Sequence, residues 1–109
     1  MRPAEMNNPA PRNAIAENVA RNVTMSSREI AELTEKRHDN VMADIRNMLK
    51  ELGKDHLSFQ GIYLDNMNRQ QTEYHLDREL TETLITGYSI PLRHKVIQRL
   101  HQLEAERNR

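Results

Sequence analysis

The stretch Ser26–Leu52, SSREIAELTEKRHDNVMADIRNMLKEL, decides how the remainder of the chain is read. Ser26 and Glu29 have the spacing of a capping box: the serine hydroxyl accepts from the backbone N–H three residues on, and the glutamate reaches back. Ile30 and Leu33 then share one helical face, and the apolar pattern breaks over Glu35-Lys36-Arg37-His38. It resumes at Val41, Ile45, Met48, Leu49 and Leu52, the i, i+4, i+7, i+8, i+11 series of an amphipathic helix. The spacing predicts helices over 27–34 and 38–53, with Gly53 as the left-handed residue that ends the second. A short helix, a tight basic turn and a longer helix make the outline of a helix-turn-helix.

C-terminal to this pair the period changes from 3.6 to 2. Leu57, Phe59, Gly61 and Tyr63 alternate with polar or smaller residues, Asp65-Asn66-Met67-Asn68 is a turn cluster, and Thr72, Tyr74 and Leu76 lie on one side of a second extended run. The two runs predict a β-hairpin, a wing beside the helices, with Tyr63 and Tyr74 facing each other. Asp77 suits the N-cap of a third helix bearing Leu80, Leu84 and Ile85, and Pro91 suits the first turn of a fourth. N-terminal to the pair, Val23-Thr24-Met25 tolerates a short strand. Residues 1–22 hold three of the four prolines and few apolar anchors, so a flexible arm is expected there. The expected fold is α+β and winged helix-turn-helix-like: two helices, a β-hairpin, then two further helices, in one domain over 23–109.

Lys plus Arg number 16 and Asp plus Glu 16, so no net field draws the molecule onto nucleic acid, and any such binding must use a local patch. Cysteine is absent, which removes disulfides and thiolate chemistry and agrees with a reducing cytoplasm. No apolar run approaches the roughly 20 residues that span a bilayer, so no membrane partner is expected. Isolated glycines, scattered histidines and solvated carboxylate pairs offer no basis for catalysis, a metal site, a cofactor or a small-molecule substrate.

With the apolar stripe of the second helix turned inward, its opposite side carries Lys36, Asn40, Ala43, Asn47, Lys50 and Lys54, with Asp39 and Arg46 at the edge. Asn can read adenine bidentately, an alanine methyl can meet thymine, and Lys or Arg can meet phosphate. Lys36, Arg37 and His38 stand at a helix N-terminus, where backbone donors point toward an anion. Arg69 beside the hairpin turn is a further phosphate candidate. The same residue types also suit any solvated helix face. On the fourth helix Leu92, Val96, Leu100 and Leu103 form a stripe with Ile97 to its side. Such a broad arc fits burial against the domain or contact with a second protomer, so a homodimer through this helix is an expectation.

Three segments are distinctive together: SSREIAELTEKRHDNVMADIRNML, FQGIYLDNMNRQQTEYHLDRELTETLITGYS and PLRHKVIQRLHQLE. Through the KRHDNV turn, the Y-x-L-D-R hairpin exit and the TGYS-x-x-LR-x-KVI segment, the chain resembles the Rha-type phage regulatory proteins and the related N-terminal domains of phage antirepressors. The resemblance covers about residues 24–104. Members often carry Gly where this chain has Glu35. The resemblance implies a bacteriophage or prophage protein acting in the cytoplasm of a bacterial host, with a winged-helix-like fold. It also implies control of phage gene expression, either by contact with operator DNA or by binding a phage repressor protein and relieving it.

Overall fold

A computed structural model of the chain describes residues 23–107, and the arm expected over 1–22 lies outside them. The described residues form an α+β unit of four helices and one three-stranded antiparallel sheet. In chain order the elements are β1 (Thr24–Ser26), α1 (Ser27–Thr34), α2 (His38–Glu51), a 3-10 turn (His56–Phe59), β2 (Gln60–Leu64), β3 (Gln70–Asp77), α3 (Arg78–Ile85) and α4 (Ile90–Arg107).

Helix α1 starts where the capping serine places it, with Ser26 Oγ accepting from the Glu29 amide at 3.1 Å. Glu29 does not complete the box; its carboxylate takes Arg99 Nε of α4 at 2.6 Å. The helix ends at Glu35, whose φ of 56° is left-handed and lets the amides of Glu35 and Lys36 close on Glu32 and Ala31 carbonyls. Helix α2 ends two residues earlier than the spacing predicts, and Gly53, at φ 72°, makes the expected left-handed exit.

Strand β2 begins later than the alternation suggests. Asp55 accepts from the Leu57 amide at 3.0 Å and winds His56–Phe59 into a 3-10 turn, so Leu57 and Phe59 are not strand residues. The sheet order is β1–β3–β2. Met25 stands across from Leu76, Gln60 from Tyr74 and Tyr63 from Gln71. Partners across a ladder share a face and neighbours along a strand alternate, so Tyr63 and Tyr74 lie on opposite faces. The expected tyrosine pair does not form. At the hairpin turn Asp65 accepts from the Met67 and Arg69 amides, each at 2.9 Å, and Asn68 takes the left-handed position at φ 64°.

Asp77 caps α3 by accepting from the Leu80 amide at 2.9 Å. Leu80, Leu84 and Ile85 are buried, joining Met25, Ile30, Val41, Ile45, Leu49, Tyr74 and Leu76 in one core. Helix α4 packs along α1 and completes it: Val96 and Leu100 are wholly buried, and Ile97 and Leu103 pack half-buried against the same cluster. The expectation that Val96 and Leu100 face a second protomer is therefore corrected. The broad apolar arc exists because α4 is embraced by α1 and α3, which no pattern within α4 itself reveals. Leu92 is half-buried. No helix among the described residues is long and apolar enough to cross a membrane.

Candidate nucleic-acid interface

Turning Val41, Ile45 and Leu49 into the core fixes what α2 shows to solvent. Asn40, Arg46, Asn47 and Lys50 are exposed along its outer side, and Ala43, half-buried, lies among them. Arg46 and Lys50 have no ion-pair partner among the described residues, so both charges are free to meet an anion. Asp44, on the flank of the same helix, is drawn away from this face: the Tyr88 hydroxyl donates to its carboxylate at 3.4 Å. Burial, then the charge of Asp44, pushes the Tyr88 phenol well above its ordinary value and keeps it a donor.

The basic turn is less open than its sequence suggests. Lys36 Nζ lies 4.7 Å from the centre of the Tyr88 ring, a cation–π contact that leans it toward the loop between α3 and α4. Arg37 pairs with Asp39 at 3.0 Å, but both side chains are largely exposed, so the pair costs little to open. His38 is turned away from the outer face, which corrects its assignment as a phosphate contact. Its Nε2 stands 2.8 Å from Ser27 Oγ, and Ser27 Oγ also accepts the Tyr74 amide at 3.0 Å. Burial, then the Arg28 guanidinium, holds the His38 ring below its ordinary value against the opposing pull of Glu73 and Asp39. A neutral ring that accepts the Ser27 proton follows from that environment.

Arg69 does not reach out freely either: its Nε is 3.0 Å from Asp65 Oδ2, where it closes the turn. Three basic residues on α3 and α4 are also engaged. Arg78 pairs with Glu82 and Glu104, Arg99 with Glu29, and Lys95 with Glu35.

The structure adds Arg28, which sequence reasoning missed, and gives Tyr63 a different neighbour from the one expected. The Arg28 guanidinium lies 3.9 Å above the Tyr63 ring, and the His38 ring meets the same tyrosine edge-on with centroids 6.2 Å apart. Together with Lys36 they line a cleft of about 260 Å³ between α1, the start of α2 and the hairpin. Arg28 has no carboxylate partner among the described residues. Nothing in the sequence signals this contact, because Arg28 and Tyr63 belong to different elements and only the fold brings them together.

Lys36 lies between the Arg28 cleft and the outer side of α2, and the carboxylates of Glu32, which also lines the cleft, Glu35 and Asp39 are interspersed with these cations. Residues 25–105, well over half of the chain, match the family model described as phage regulatory protein Rha. No curated protein and no solved structure matched.

Proposed function

The chain belongs to the Rha family of phage regulatory proteins, and from that premise we propose that it regulates phage genes by laying α2 in the major groove of an operator. In this reading the elements form a winged helix-turn-helix: α1 and α2 are the helical pair, and β2 and β3 are the wing. The short β1 leads into α1 and pairs with the far strand of the hairpin, which sets the hairpin beside the helices. The observation that carries the reading is the outer face of α2, where Asn40 and Asn47 alternate with Arg46 and Lys50, both unpaired among the described residues. The two asparagines read base edges. Lys36, Arg37, Arg46 and Lys50 hold phosphates, with Arg28 added from the cleft.

Retention of DNA from the phage's own early control region, measured across a salt series, tests this. Lys50→Ala should weaken binding to all sequences alike and lower the salt slope by about 1, whereas Asn47→Ala should relax preference at one position by about 1–3 kcal/mol. Absence of retention at low salt would defeat the reading.

Zero net charge and the carboxylates of Glu35 and Asp39 beside the basic turn favour a second reading, an antirepressor that binds a phage repressor protein without touching DNA. Co-expression with that repressor separates the two. A complex stable to size exclusion that no longer binds operator supports the second reading, and two separate peaks count against it.

A further inference from the structure

We propose that two copies of this chain pair through β2, antiparallel about a twofold axis at Ile62, joining two three-stranded sheets into one of six strands. The order β1–β3–β2 leaves the outer side of β2 without a backbone partner among the described residues. Such a row of open N–H and C=O groups is a template for another strand, and edges that avoid pairing carry a charge, a proline or a bulge. Strand β2, QGIYL, carries neither charge nor proline, and its ladder to β3 runs without a bulge from Gln60 to Leu64.

Its side chains point the same way. Ile62 stands across from Thr72 and Gln60 from Tyr74, so Ile62 and Leu64 lie on the face that packs Tyr74 and Leu76 into the core further along β3. The hairpin outruns that core. Ile62, Leu64, Met67 and the neighbouring Leu57 are left 58–72% exposed.

Charge selects the occupant. Between Gln60 and Thr72 the chain holds one acid and one base, Asp65 and Arg69, and they satisfy each other at 3.0 Å. On the face of Ile62 and Leu64 a charged partner finds nothing to complement and a second copy meets no like charge, since Arg28 stacks on Tyr63 on the opposite face. Pairing centred on Ile62 sets that residue against its own symmetry mate and Gln60 against Leu64 of the second copy, an uncharged match along the whole strand. Covering these side chains on both copies removes roughly 800 Å² before any backbone is counted, below the roughly 1,200 Å² at which stable specific interfaces begin, so a weak dimer that forms only at high protein concentration is expected. The pairing uses no residue on the outer face of α2 and stands or falls separately from DNA reading.

Sedimentation equilibrium of the full chain, from low micromolar to several hundred micromolar, reads the outcome directly. The wild type should pass from monomer to dimer. Ile62→Lys, which sets two like charges at the axis, should raise the dissociation constant roughly tenfold or more with an unchanged melting curve. An equimolar mixture of Ile62→Lys and Ile62→Glu should recover the dimer. A wild type that stays monomeric throughout overturns the proposal, as does an Ile62→Lys chain that dimerises as well as wild type. So does a charge-swapped mixture that remains monomeric.

Discussion

Glu35 is the residue where the fold asks for something the side chain resists. Its left-handed φ of 56° costs a residue with a Cβ about 1–2 kcal/mol, and its carboxylate meets Lys95 at 3.8 Å on an exposed surface. Glu35→Gly relieves that strain at the cost of a more flexible unfolded chain, so a net gain of about 0.5–1 kcal/mol is expected in the urea midpoint. The same change removes a negative charge beside Lys36 and Arg37, and operator retention should rise at low salt. His38 sets the pH response. Its folded value lies below 6.5, so the unfolded chain binds the proton first as pH falls. Stability should therefore be full above pH 6.5 and decline as pH drops through the folded value. His38→Gln should flatten that slope in denaturation series run between neutral and mildly acidic pH.

Among the elements, the hairpin and α2 differ in what fixes them. The hairpin turn hangs on Asp65, which accepts two backbone amides as well as Arg69 and Gln71 side chains, and whose carboxyl these donors hold below its usual value. Asp65→Ala should speed hydrogen exchange at the Met67 and Arg69 amides while leaving those of α2 unchanged. Local chemistry of this kind is legible in sequence: the Ser26 cap, the Asp77 cap, the Asp65 turn and the Gly53 exit all act within a few residues. The start of β2 was hidden because Leu57 and Phe59 continue the strand alternation while Asp55 winds them into a 3-10 turn. The tyrosine pairing was hidden because it depends on register, which the turn length sets and the residue types do not. The Arg28–Tyr63 stack was hidden because it joins elements far apart in the chain, and the inward turn of His38 because it depends on how α2 is set against α1 and the hairpin.

At the scale of the whole molecule, α4 is the keystone, and its role had to be seen in three dimensions. Leu100 looks like half of an exposed arc until α1 is laid beside it, where it is wholly buried and Arg99 reaches Glu29 seventy positions upstream. Leu100→Ala should therefore cost about 2–5 kcal/mol and melt the whole unit in one step, with loss of hairpin and helix signals together. A change confined to self-association would leave the stability of the monomer intact. The buried hydroxyl of Ser27 ties the assembly at one further point. Strand β1 ends across from His75, so the next amide along β3, that of Tyr74, has no strand to meet; the first side chain of α1 takes over the ladder, and the same oxygen meets His38. The handover from β1 to α1 consequently has no slack in length. One residue inserted or deleted between Met25 and Ile30 would swing that oxygen about 100° around the helix and strand both partners at once, so length variation belongs in the loop at Lys54–Asp55 and not at this junction.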